Sequence, residues 1–370
     1  MSATVADELL CEVRGKAGIV TLNRPEVLNS LNISVLEGLH RQLRQWSSDD
    51  RVQLVIVRGA GKAFCAGGDV RAVYNARGDD AFMDRVYRVE YELDEYISRY
   101  PKPYVALMSG YTMGGGCGIS VHASCRVVTE TTVLAMPEVA IGLFPDVAGS
   151  CFLSRCPGAL GLYAGLTGAR MTGADAVYLG LADFFVDSEG LDALVEKLAR
   201  SGDPAPLRAA ARTPPPPSRL QSLRSEIDHC FARSSVAEIV AALASSSADW
   251  AREAHAAMLA ASPTSLEITF RAIREARGKS IRDCLITDFR LAQRLMKGHD
   301  YFEGTRALII DKDRQPRWRP ASLAEVDPNA IDALFAPLDR DELSFEPALP
   351  GSPDAADEPW QAGCTQRLEQ

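Results

Sequence analysis

Two periodicities of apolar residues take turns along the first half of the chain. Gly18 to Leu22 (GIVTL) reads as a strand, and Leu54 to Val57 (LVIV) as a buried strand ending at Gly59. Between them Val35, Leu36, Leu39 and Leu43 recur at helical spacing, which predicts a helix over Ile33 to Trp46. A helix near Ala81 to Ser98, a strand over Tyr104 to Leu107 and a helical pattern opening at Gly114-Gly115-Gly116 follow. Strands alternating with helices predict an α/β fold, a sheet whose faces are covered by helices.

The pattern changes near Asp203. Pro204, Pro206 and the run Pro214 to Pro217 predict an extended connector over 203–218, because consecutive prolines fit neither helix nor sheet. Beyond it strands nearly vanish. Helical patterns run through Leu220–Cys230, Val236–Leu243, Trp250–Leu259, Ser265–Glu275 and Ile281–Met296. The organisation expected is an α/β core over 1–202, the proline-rich linker, a helical region over 219–345, and an acidic, proline-rich tail over 346–370. That tail holds too few apolar residues to bury and is expected to be disordered. No internal repeat is present.

Composition narrows the function classes. The 370 residues are 46% hydrophobic and 24% charged, within the range of ordinary soluble globular proteins. Forty Lys+Arg against 49 Asp+Glu give a net charge of −9, which argues against a nucleic-acid-binding protein. The longest mostly apolar stretch, Val133 to Phe144, contains Pro137 and Glu138 and falls short of the ~20 residues of a membrane span. Nine scattered cysteines fit reduced thiols better than a disulfide framework. MSATVADELLCEVRG lacks the marks of a secretory signal or of an Arg-rich, acid-poor presequence, and Leu368-Glu369-Gln370 is not a peroxisomal address. A cytoplasmic location is therefore expected, or the mitochondrial matrix for a eukaryotic chain.

Several catalytic signatures are absent: G-x-S-x-G, G-x-G-x-x-G and H-E-x-x-H. Gly59-Ala60-Gly61-Lys62 fails as a P-loop, since Ile56 and Ala63 stand where glycine and Ser/Thr are needed. The five histidines show no metal-ligand spacing, so no metal is expected. Two glycine clusters remain, each at a strand-to-helix transition: Ala66-Gly67-Gly68-Asp69 and Thr112-Met113-Gly114-Gly115-Gly116. Glycines there let backbone N–H groups approach a ligand, and two such donors from separate turns could bind one developing oxyanion. They could equally serve tight turns and close packing.

Three carboxylates stand out. Glu138 follows Met136-Pro137 in an apolar stretch, and Asp146 lies eight residues on, after Phe144-Pro145. On a continuous helix they would be ~12 Å apart, but Gly142 and Pro145 should break it and let them converge. Acidic residues after proline also suit helix N-termini, so capping is the competing reading. Glu90 sits on the apolar stripe of Phe82, Val86, Val89 and Leu93, where it is either a rim residue or points into a polar cavity.

At these residues the sequence closely resembles the crotonase (enoyl-CoA hydratase/isomerase) superfamily. The matching elements are LNRPEVLNSLN at Leu22–Asn32, AFCAGGD at Ala63–Asp69, GYTMGGGCG at Gly110–Gly118 and AMPEVAIGLFPDVAGS at Ala135–Ser150, in the family's order and spacing. The resemblance implies a spiral of ββα units and an oxyanion hole, formed by the backbone N–H groups of Gly68 and Gly115, that grips an acyl-CoA thioester carbonyl. Hydratases of the family use two glutamates, one at the position held here by Gly118, so a two-glutamate water addition is not expected. Asp146 eight residues after Glu138 resembles the 3-hydroxyisobutyryl-CoA hydrolase branch, although some isomerases place an aspartate there. SPTSLEIT at Ser262–Thr269 and KGHDYFEGTRALIIDKDRQPRW at Lys297–Trp318 resemble the hydrolases and not ordinary hydratases.

The activity that the resemblance implies is hydrolysis of 3-hydroxyisobutyryl-CoA to 3-hydroxyisobutyrate and CoA, in valine catabolism. Glu138 would act as nucleophile or general base, Asp146 would meet the substrate hydroxyl or assist proton transfer, and Glu90 would complete the polar end of the acyl pocket. No cofactor is expected beyond the CoA that arrives with the substrate. The expected partners are an acyl-CoA substrate and further copies of the chain, with no nucleic acid and no membrane. Two alternatives stay open: an enoyl-CoA hydratase or isomerase on the same scaffold, and a non-catalytic acyl-CoA-binding protein in which Glu138 and Asp146 are helix caps.

Overall fold

In the computed structural model the described residues are 5–213, 215–338 and 340–346. Among the described residues ten strands form two sheets. The larger has six strands in the order β1 (Leu9–Arg14), β2 (Ala17–Leu22), β3 (Leu54–Gly59), β5 (Tyr104–Met108), β7 (Cys125–Val128), β10 (Phe184–Phe185). β1 and β2 pair antiparallel, and every other neighbour is parallel. The smaller sheet runs β4 (Ala63–Cys65), β6 (Tyr111–Met113), β8 (Val133–Ala135), β9 (Met171–Thr172), parallel except for its last pair. Helices cross between strands, as the alternating pattern predicts.

The LVIV run shows why a continuous apolar strand was needed. Val55 and Val57 face the main core while Leu54 and Ile56 face a second, smaller core on the other side of the sheet. That second core is closed by the helix Leu191–Ser201 through Leu194, Val195 and Leu198. Predicted helices appear with small boundary shifts: Ile33–Ser47, Asp80–Ser98, Gly115–Val121, Arg219–Phe231, Val236–Ala244, Asp249–Ala260, Pro263–Glu275 and Ile281–Leu295.

Within the segment read as an extended connector, Pro206–Ala210 forms a short helix that begins with its proline, where the missing N–H costs nothing. The C-terminal helices are not a separate body. Leu285, Phe289 and Tyr301 share one hydrophobic core with Val35, Tyr91 and Phe144. The tail expected to be disordered lies, from residue 347 on, outside the described residues. Among the described residues Cys11, Cys65, Cys117, Cys151, Cys156, Cys230 and Cys284 are free thiols. No helix of the described residues is long and apolar enough to cross a membrane.

Candidate active site

The small sheet creates the site. β4, β6 and β8 are parallel neighbours, with Cys65 beside Thr112 after a register shift in β4 and Met113 beside Ala135, so their C-terminal ends share one edge. Gly68, Gly115 and Glu138 each lie two or three residues beyond that edge, at the position where open parallel sheets present ligand sites. Sequence distances of 47 and 23 residues thereby collapse into one constellation.

The Gly68 turn is held by the LNRPEVLNSLN segment. Leu31 N–H donates to Gly67 O (2.8 Å) and Asp69 N–H to Leu31 O (2.8 Å), a parallel bridge that leaves the intervening Gly68 N–H pointing away from Leu31. Arg24 braces the same turn, donating to Ser30 O (2.6 Å) and to Asp69 Oδ2 (3.3 Å). Asp69 also caps the helix Val70–Asn75 through Ala72 N–H (3.1 Å). Gly115 opens the helix Gly115–Val121, whose first N–H groups have no partner inside the helix. The two turns pack closely: a Cβ on Gly115 would lie 3.4 Å from Gly68 N and 2.3 Å from Glu90 Oε1. Gly115 must therefore be glycine for this approach, whereas a Cβ on Gly68 would meet nothing within 4 Å, and both residues line one cavity.

Glu138 begins a 3-10 turn, Glu138–Ile141, that ends at Gly142 in the left-handed conformation (φ 77°). The break places Asp146 back on the same space, as the glycine and proline between them predict. Gly68, Gly115, Glu90, Glu138 and Asp146, all five of the predicted site residues, line a single cavity of about 600 Å³. The rest of its wall is mainly apolar, with Leu31, Val70, Val73, Phe82, Val86, Ile141 and Leu143. Glu90 is therefore no rim residue: it is buried, 6% exposed, like Glu138 and Asp146.

Three buried carboxyl groups cannot all carry charge cheaply, because burial and mutual repulsion both favour the neutral form. Burial, reinforced by Asp146, pushes Glu90 up to about 8. Glu138 is raised well above the ordinary carboxylate value, first by burial and then by Asp146 and Glu90. Asp146 is raised less, to about 6, because Tyr91 Oη donates to its Oδ2 at 2.9 Å. Among the described residues nothing hydrogen-bonds Glu138 Oε2, which leaves it to a reactant. Glu138 does open its 3-10 turn, as the capping reading expects, but the N-cap positions here belong to Pro137 and Ala148, and Glu138 Oε2 is not spent on a helix N–H.

The helical C-terminal region completes the site. Gly142 packs against the backbone of Asp300, and Gly304 against that of Ile141, approaches that a Cβ at either position would block. Ser262 of the SPTS motif links both sides, its N–H donating to Val139 O (3.2 Å) and its Oγ to Asp300 Oδ2 (2.7 Å). Tyr301 enters the cavity wall beside Tyr87, whose hydroxyl donates to Met296 Sδ (3.4 Å).

Sequence reasoning missed Tyr91, Tyr87, Tyr301, Asp94 and Asp288. Asp94 was within reach, since it follows Glu90 by one helical turn on the same buried stripe. Both of its carboxyl oxygens are buried without a hydrogen-bond partner among the described residues, and they lie against Gly118. Asp288 interrupts the apolar face of Ile281–Leu295, the kind of interruption that marked out Glu90. Tyr91 and Tyr301 carried no such signal, because an aromatic residue on a helix face reads as core. Among the described residues no group of His, Cys, Asp or Glu is placed to hold a metal ion.

Comparison with known proteins identifies the family and the fold. The family model described as enoyl-CoA hydratase/isomerase matches residues 17–335. A protein of Danio rerio named "3-hydroxyisobutyryl-CoA hydrolase, mitochondrial" is 42% identical over 357 residues, covering 93% of this chain and 94% of the relative. The Homo sapiens protein of that name is 41% identical, covering 92% and 91%. These relatives are named mitochondrial, which lends no support to a cytoplasmic location. Among solved structures, one titled a carnitinyl-CoA dehydratase from Mycobacterium thermoresistibile has a TM-score of 0.88 at 44% identity, covering 92% of this chain and 99% of that one. Another, titled an enoyl-CoA hydratase from Rhodobacter sphaeroides, has a TM-score of 0.87 at 41% identity, covering 91% and 100%. Fold, site and sequence together place this chain in the enoyl-CoA hydratase/isomerase family, with the crotonase fold.

Proposed function

We propose that this chain hydrolyses 3-hydroxyisobutyryl-CoA to 3-hydroxyisobutyrate and CoA, a step of valine breakdown. The observation that carries the reading is the convergence of Gly68, Gly115 and the Glu138 carboxyl, whose Oε2 has no partner among the described residues, on a largely apolar cavity that also holds Glu90 and Asp146. The thioester carbonyl would sit on the Gly68 and Gly115 amides, which stabilise the negative charge that grows on its oxygen during attack. Glu138, freed of its proton, would attack the carbonyl to give a mixed anhydride opened by water, or would deprotonate a water that attacks directly. In either route the C–S bond breaks and the sulfur leaves with CoA, so the chemistry uses no separate cofactor.

Glu90 and Asp146 give the acyl end its selectivity. A 3-hydroxyl can hydrogen-bond these buried groups, whereas an acyl chain lacking it would bury their remaining polar atoms without a partner. The solved relatives titled hydratase and dehydratase favour a second reading, water addition to an enoyl-CoA. The residues speak against it, because Gly118 offers no second glutamate and Asp94 fills the space beside it.

Thiol release from 3-hydroxyisobutyryl-CoA decides between them, with isobutyryl-CoA and crotonyl-CoA as controls and with Glu138→Gln run alongside. Release from the hydroxylated thioester alone, abolished by the substitution, is expected. Consumption of crotonyl-CoA without thiol release would move the chain to the hydratase reading. Tight acyl-CoA binding with no turnover of any substrate would make it a non-catalytic binding protein. Sedimentation would establish whether the chain works as a homo-oligomer.

A further inference from the structure

Asp146 is followed by two residues in the left-handed region, Val147 at φ 52° and Ala148 at φ 55°, before the helix Gly149–Leu153 begins. Neither is glycine, and Val147 is β-branched, so each is held in a backbone conformation that L side chains rarely adopt. Such a turn persists only when its surroundings over-determine it. Two buried side chains do so from opposite sides. Asp288, from the C-terminal helix Ile281–Leu295, accepts the Ala148 N–H at Oδ2 (2.8 Å). His122, at the end of the helix that begins with Gly115, meets Val147 O through Nε2 at 2.8 Å. A carbonyl can only accept, so this Nε2 carries the proton.

Neither side chain lines the cavity, and each is at most 1% exposed. We propose that Asp288 and His122 are positioning residues that clamp the Val147–Ala148 turn and so aim the Asp146 carboxyl at the substrate's 3-hydroxyl. The inference rests on the reading of Asp146 as the group that meets this hydroxyl. It assigns the helical C-terminal region a part in substrate choice, beyond covering the cavity, because one half of the clamp comes from each part of the chain. Burial and the neighbouring Cys284 and Asp146 hold Asp288 well above the ordinary carboxylate value. A neutral acid and an amide have the same shape and the same carbonyl acceptor, so asparagine should serve at this position where leucine cannot.

The test is a double-mutant cycle read as discrimination, the ratio of kcat/KM for 3-hydroxyisobutyryl-CoA to that for isobutyryl-CoA. Asp146→Asn should lower the ratio; no change would overturn the role of Asp146 itself. Asp288→Leu should lower it by roughly 10- to 100-fold in the parent enzyme, the cost of a misplaced polar contact. In the Asp146→Asn background the same change should cost no more than about 2-fold. Asp288→Asn should stay within about 3-fold of the parent. Equal losses in both backgrounds, an unchanged ratio in Asp288→Leu, or an Asn variant as impaired as the Leu variant would each overturn the clamp. Should Asp288→Leu not fold, His122→Ala, which opens the turn from the other side, carries the same cycle and the same criteria.

Discussion

The carboxyl group of Asp94 occupies the space that a side chain at residue 118 would need: a Cβ on Gly118 would lie 2.7 Å from Oδ1 and 2.8 Å from Oδ2. Val147 closes the remaining side at 2.9 Å. The absence of a glutamate at 118 is therefore not a vacancy awaiting a side chain. The helix Asp80–Ser98 has moved an acid of its own into that volume.

Gly118→Glu should accordingly fail to create a hydratase. Overpacking against a buried carboxyl and a valine should cost about 1–3 kcal/mol or more, read as a lowered thermal midpoint, with no hydration of crotonyl-CoA gained. A variant that melts with the parent and hydrates crotonyl-CoA would show that the volume is free.

The two oxyanion-hole glycines should respond differently to alanine. At Gly115 a methyl group meets Glu90 Oε1 and crowds Gly68 N, so Gly115→Ala should lose both stability and at least about 100-fold in kcat/KM. At Gly68 nothing lies within 4 Å of a Cβ, and the residue lines the cavity. Gly68→Ala should melt with the parent yet turn over poorly, because its methyl stands in the substrate's space. Equal effects on melting in the two variants would contradict this geometry.

Glu138 must be ionised to attack or to take a proton, and its neighbours hold it protonated well above the usual range. The acid limb of kcat/KM should therefore fall well above pH 4.5. Asp146 raises Glu138 through its charge, so Asp146→Asn should move that limb to lower pH even as it lowers the maximum. A limb that stays in place on this substitution would separate Asp146 from Glu138 electrostatically.

Stability should carry the same signature. Glu90 is raised to about 8 in the folded chain from an ordinary value of 4.5, so the folded state binds a proton that the unfolded state gives up. Its contribution is full below about pH 4.5 and is lost as the pH rises through about 8. Glu90→Gln removes that loss, and its stability relative to the parent should rise by about 1–3 kcal/mol between pH 5 and pH 8. Thermal melts of the pair across that range check it; a constant difference would mean that Glu90 is ionised throughout.

Much of the site was legible in the sequence for local reasons. Glycine strings at strand ends, a carboxylate on an apolar stripe and a Gly–Pro interruption between Glu138 and Asp146 each need only near neighbours to be interpreted. So do the strand LVIV and the helix Ile33–Ser47, whose periodicities are written in consecutive residues. The rim-or-cavity choice at Glu90 could not be made that way. It depends on Gly115, 25 residues away, having no side chain to fill the place where Oε1 sits.

What the tertiary structure alone decided lies in contacts between distant parts of the chain. Tyr91 reads as core until Asp146, 55 residues on, is found at its hydroxyl. Asp288 reads as one acid in a helix until the Ala148 N–H arrives from 140 residues before it. Periodicity reports which face of an element is buried, because that is a property of the element itself. Which buried polar groups meet across that face depends on how strands in register and helices against them bring remote segments together, and no local pattern carries that information.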